Sequence, residues 1–115
     1  MKNITSILVL TLLSAFSFTA LAVDKPNLTQ ISRSYANNDP SKPVNMLVWE
    51  KPLNVPDAFQ IQKKGVWGWK DLATINGQNV AWADFKPIKG AASYRMRALN
   101  NTEKSDWSRV LRISE

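Results

Sequence analysis

Arginines and aromatic residues interleave towards the C-terminal side of this chain. Tyr94, Arg95, Met96 and Arg97 are followed by Trp107, Arg109 and Arg112. A guanidinium keeps its charge at neutral pH and presents a planar fork of donors, so such a run could grip an anionic ligand or a nucleic-acid backbone. One β-strand with an apolar face and a basic face would produce the same pattern. A second cluster, Lys63, Lys64, Trp67, Trp69 and Lys70, sets two indoles two residues apart among three lysines. Indoles beside cations suit protein contact or stacking on sugar rings.

Catalytic chemistry is harder to assemble. The 115 residues include no His and no Cys. That removes histidine triads, thiol nucleophiles and His/Cys metal sites. The nine acidic residues are scattered, and Asp39, Asp57, Asp84 and Asp106 lie in turn-like contexts. Glycoside hydrolysis needs a carboxylate pair flanking one bond. Four Gly do not make a phosphate cradle. The reading is of a protein that is not an enzyme, without cofactor or metal.

The first 22 residues, MKNITSILVLTLLSAFSFTALA, read as an export signal. Lys2 supplies the charged start, an apolar run spans 4–13, and Ala20-Leu21-Ala22 is a small-x-small cleavage signature. The run is short of the roughly 20 apolar residues a bilayer span needs. Cleavage after Ala22 leaves residues 23–115 as one small domain with no transmembrane segment, periplasmic or extracellular. Its formal charge of about +5 favours anionic partners and solubility. In that compartment the partner is a protein or an envelope glycan, and the address argues against nucleic acid. Without Cys, apolar packing must close the core, and the Trp content makes that credible.

Six prolines, at 26, 40, 43, 52, 56 and 87, break any helical pattern. Between them run short segments of period-two alternation, the mark of strands. Seven are expected: 27–32, 45–50, 58–63, 66–75, 80–85, 93–99 and 109–114, with a polar turn over 34–43. Leu47 and Trp49 share one face, as do Phe59 and Ile61, and as do Tyr94, Met96 and Ala98. Trp49 and Trp82 are expected in the core, with Asp84 ending its strand.

Particular residues narrow this to a family. LVWEKP, with Leu47, Trp49 and Pro52, resembles the second strand of a fibronectin type III domain, and FQIQKK the third. GWKDLATI is similar to a Trp-x-x-Leu-x-x-Val segment of bacterial members. YRMRALN followed by SDWS resembles the sixth strand and the approach to the seventh. The resemblance covers about residues 25–114 and implies an all-β, seven-stranded immunoglobulin-like sandwich. The family's corner tyrosine, whose hydroxyl ties the turn before strand six to the backbone, falls on Tyr94 or on the position of Ala92, depending on register.

The resemblance also bears on the arginines. Cytokine-receptor members interleave a Trp-Ser-x-Trp-Ser motif with arginines as a cation–π ladder, and residues 104–108 keep only its second half. Arg95, Arg97 and Trp107 are thus either a surface ladder that stiffens the sheet or a ligand platform. For the other cluster, a regular strand puts Trp67 and Trp69 on one face about 6–7 Å apart. Leu72 then points to the core, and the indoles form an exposed strip flanked by Lys63, Lys64 and Lys70. The alternative is a bulge near Gly68 that turns Trp69 inward. Three functions fit: protein interaction or adhesion at the cell envelope, glycan binding as an accessory domain, or a structural spacer or assembly subunit.

Overall fold

The computed structural model describes residues 23–87 and 90–114. They form β1 (Asn27–Tyr35), β2 (Pro43–Glu50), β3 (Ala58–Gly65), β4 (Gly68–Asn76), β5 (Ala81–Asp84), β6 (Ala92–Asn100), β7 (Glu103–Lys104) and β8 (Leu111–Ile113). The smaller sheet has the order β1-β2-β5. The larger has the order β4-β3-β6, and both β7 and β8 pair with β6. All pairings are antiparallel. The all-β sandwich expected from the alternation is what the chain forms. The expected export signal lies outside the described residues. Among the described residues no helix is long and apolar enough to cross a membrane.

The core follows from the period-two pattern. Leu47 and Trp49 from β2 meet Phe59 and Ile61 from β3 and Tyr94, Met96 and Ala98 from β6, all buried. Trp49 packs edge-on against Phe59 with ring centroids 5.4 Å apart, and its indole N–H donates to the Asn79 carbonyl at 3.0 Å. A buried Trp needs such a partner for its one polar atom. Trp82, Leu111 and Ile113 close the margins, partly buried. The turn after β4 is pressed against the β2–β3 loop at Gly77, where a Cβ would fall 1.8 Å from the Pro56 carbonyl oxygen.

Several boundaries differ from the sequence reading. β1 runs on to Tyr35 and β2 begins at Pro43, so only 36–42 serve as the turn. Asn37 and Asn38 there adopt left-handed φ of 54° and 58°, which asparagine tolerates better than most residues. The closing strand is shorter than 109–114, and the two-residue β7 was not foreseen. β4 begins at Gly68, so Trp67 belongs to the turn rather than to the strand. Its bulge lies opposite the Ile61/Gln62 step, with Ala73 against Ile61 and Asp71 against Gln62. Leu72 is the extra residue and is 37% exposed instead of pointing to the core. A bulge lets two residues oppose one and breaks the alternation that placed Leu72 inside.

One polar cluster interrupts the apolar interior. The fully buried Asn45 and Tyr94 face each other across the sheets, and the Asn45 amide donates to the Tyr94 hydroxyl at 2.8 Å. That hydroxyl donates to Asp84 Oδ2 at 2.7 Å, and Lys63 Nζ donates to the same oxygen at 2.9 Å. The Arg33 Nε donates to Asn45 Oδ1 at 2.8 Å. Tyr94 therefore ties strand six to a side chain on β5, not to the backbone. Burial opposes ionisation of Asp84, but the hydrogen bonds from Tyr94, Lys63 and the Lys86 amide outweigh it and hold its carboxyl below the ordinary value. Burial, with Asp84 beside it, pushes the Tyr94 hydroxyl well above its usual range.

Tyr94→Phe should cost about 1–3 kcal/mol in urea melts, because Asp84 and Asn45 each lose a buried partner. The Asp84 contribution is complete above the unfolded carboxylate value of about 3.9, and should be lost as pH falls through its depressed folded value. The Tyr94 contribution is complete below about pH 10 and should be lost as pH rises beyond it. Melts across pH should show both limbs, with the alkaline one reduced in Tyr94→Phe.

Candidate functional site

Two groups of residues on the larger sheet could meet a partner, and they share β3 and β4. The first is on the outer face. The β3–β6 register sets Gln60 against Arg97 and Gln62 against Arg95. Each arginine donates through Nε to its glutamine, Arg95 to Gln62 at 2.9 Å and Arg97 to Gln60 at 2.8 Å. Both glutamines donate in turn to Asp71 Oδ1 on β4, at 2.6 and 2.8 Å. Those bonds, Gln62 first, hold the Asp71 carboxyl below its ordinary value.

With Nε fixed, the guanidinium planes lie against indoles. Arg95 stands 4.4 Å from the Trp69 ring and 4.1 Å from the Trp107 ring, and Arg97 stands 4.2 Å from Trp107. The order is Trp69, Arg95, Trp107, Arg97, a stack in which each cation faces an electron-rich ring. Burial, then the neighbouring Arg97 charge, lower the Arg95 value from that of a free guanidinium. Arg95, Arg97 and Trp107 thus lie in one stack, with Trp69 as its fourth member.

Ser105 and Ser108 hold Trp107 in place. The Ser105 hydroxyl accepts from the Ala98 amide at 2.8 Å and the Ser108 hydroxyl from the Met96 amide at 3.0 Å. Their own amides donate to the carbonyls of the same two residues. Side-chain oxygens thus replace strand carbonyls between β7 and β8, and the segment follows β6 without forming a regular ladder.

The second group is the β3–β4 hairpin. Gly65 pairs with Gly68, leaving Val66 and Trp67 as the two turn residues. Both project almost fully into solvent, Val66 at 91% and Trp67 at 98% exposed. Lys64, opposite Trp69, and Lys70, opposite Lys63, flank the tip. Lys63, Lys64, Gly65, Lys70 and Leu72 line a shallow depression of about 240 Å³. Another, of about 120 Å³, runs from Gly65 to Lys70 beneath Trp67.

The two indoles therefore do not form a strip. Trp67 stands alone at the tip, while Trp69 is neither inward nor open and lies under Arg95. Lys63 is drawn away from the outer surface by its bond to Asp84, its side chain only 14% exposed. Lys64, Trp67 and Lys70 are the members of the expected cluster that remain accessible. The sequence reading missed Gln60, Gln62 and Asp71, although all three are polar residues on strands that pair beside the arginines.

By sequence the chain matches no family model and no curated protein. Its fold is that of fibronectin type III domains. An Fn3-like protein from Clostridium thermocellum is 17% identical with a TM-score of 0.59, over 79% of this chain and 91% of that one. A two-domain fibronectin type III segment of chicken tenascin is 14% identical with a TM-score of 0.61, over 82% and 51%. A β-1,2-glucanase from Parabacteroides distasonis is 14% identical with a TM-score of 0.67 over 82% of this chain. The chain spans only 13% of that glucanase.

The two groups should separate under mutation. A double-mutant cycle between Arg95→Ala and Trp107→Ala should give a coupling of about 0.5–1 kcal/mol. Trp69→Ala should destabilise the domain in urea melts by losing its contact with Arg95. Trp67→Ala should leave the melt within about 0.5 kcal/mol of the native protein.

Proposed function

We propose that this chain is an exported, non-catalytic binding module that acts by interaction or adhesion at the cell envelope, with the β3–β4 hairpin as its contact surface. The observation that carries the reading is Trp67, 98% exposed beside Val66 on a two-residue turn between lysines. A large aromatic side chain in water does nothing for the fold, and buried Trp anchors are among the strongest contributors to binding. The ladder on the outer face serves a different purpose. Arg95 is held between two indoles and Arg97 lies against one, so the stack stiffens the sheet that presents the hairpin.

Binding and spacing are the common work of this fold, which by itself names no ligand. A spacer without a partner would have no use for an open indole. A glycan-binding accessory role draws on the likeness to a segment of a β-1,2-glucanase. Sugar stacking on the expected strip would need two open indole faces, and the Arg95 contact covers Trp69.

The purified protein should be retained on cell-envelope fractions, and Trp67→Ala should lose that retention while melting like the native protein. Equal retention of the two proteins would remove the hairpin from the reading. Retention on insoluble glycan that depends on Trp67 would select the accessory role.

A further inference from the structure

We propose that the end of the sandwich carrying the β3–β4 hairpin docks on an anionic lipid bilayer, with Val66, Trp67 and Phe85 entering the headgroup layer and Lys64, Lys70 and Lys86 resting on lipid phosphates. The inference rests on the hairpin being the contact surface and names what it contacts. Its first support is shape. Val66 and Trp67 stand on a convex tip between two glycines, and the hollows beside it are shallow. A small ligand needs a concave site, and a protein hot spot normally sits within a surround of neighbours that exclude water. A proud Val66–Trp67 pair bracketed by glycines suits a surface it can penetrate.

The second support is a second anchor at the same end. Phe85 is 71% exposed and follows Asp84, which is bonded to Lys63 three residues before the tip. Two apolar points on different loops fix an orientation that a single point leaves free. Trp settles at the membrane interface because its ring is apolar and its N–H is polar, and lysine stems reach past apolar groups to place their charge among headgroups.

The third support is charge. The hairpin carries Lys63, Lys64 and Lys70 around its tip, and Asp71 follows Lys70 on β4, where Gln60 and Gln62 bond it. Of the nearby acids, Asp84 is paired with Lys63, while Asp39, bonded to Ser41, keeps its charge in the turn after β1. Glu50, Asp57 and Glu103 lie at the other end, where Asn27 pairs with Glu50 and Asn100 with Glu103. At the face turned towards lipid the exposed Lys42, Lys64, Lys70 and Lys86 thus outnumber the charged Asp39 and Asp71. Each cation near an anionic surface strengthens binding about fivefold.

The test is co-sedimentation of the purified protein with phosphatidylglycerol-containing vesicles and with pure phosphatidylcholine vesicles. Binding to the anionic vesicles only, weakened by salt, is expected. Trp67→Ala should weaken it about tenfold or more, Phe85→Ser should weaken it further, and Lys64→Glu with Lys70→Glu should abolish it. All these side chains are exposed, and a urea melt of each variant separates lost binding from lost folding. Equal binding to both vesicle types, or none to either, would overturn the lipid assignment. If vesicles are ignored while Trp67→Ala still loses envelope retention, the partner is an envelope protein or glycan instead of lipid, and the binding-module reading stands. If Trp67→Ala changes neither, both fall.

Discussion

The Tyr94 hydroxyl is the point on which the two sheets are fixed to each other. It bonds Asn45 of β2 and Asp84 of β5 in the smaller sheet while its own strand, β6, lies in the larger, and Lys63 of β3 closes the group from the same side. At the other margin Arg109 Nε donates to the Leu28 carbonyl of β1 at 2.9 Å, and between these ties the sheets touch through apolar side chains, whose attraction is strong but has no direction. Hydrogen bonds supply direction, and buried ones must be made because an unmade one is costly. In a chain without cysteine there is no covalent tie to do this. The polar group is a directional tie between the sheets close to the β3–β4 hairpin and the β5–β6 loop.

The larger sheet is consolidated on both faces by different means. Inward, Phe59, Ile61, Met96 and Ala98 are excluded from water. Outward, Asp71, the two glutamines and the two arginines run across three strands, and the indoles of Trp69 and Trp107 lie against the guanidiniums. The interleaving of arginine and aromatic residues that suggests an anion grip is therefore the outer half of a strand whose inner half is core. Its cations face π-systems instead of an open groove.

Alternation made β2, β3 and β6 legible, because a strand with one buried face must repeat every second residue. The same rule held a clue to the polar group. Asn45 has the parity of Leu47 and Trp49, and Lys63 that of Phe59 and Ile61, so alternation alone points both inward, although the neighbouring indoles suggest an exposed Lys63. The bulge at Leu72 left no such trace, since it is a mismatch between two strands and neither strand alone records it. Trp69 was ambiguous for a related reason. Its neighbour Arg95 lies one strand beyond its pairing partner, and cross-strand register had to be known before the two could be brought together. The start of β4 depended on which residues filled a two-residue turn, and Gly65 and Gly68 bracket it without ranking Val66 and Trp67 against the strand.

The bond between Lys63 and Asp84 gives the hairpin a mechanical character. A pull on the tip runs along β3, parallel to the strand axis, so the β3–β6 hydrogen bonds are loaded together rather than opened one after another. Part of the same load crosses from Lys63 to Asp84 and enters the smaller sheet near the tip, before it reaches the centre of the core. A domain held at this end and dragged from the other would resist as a unit of two sheets. Separating one from its neighbour would require breaking a charged bond that is largely shielded from water.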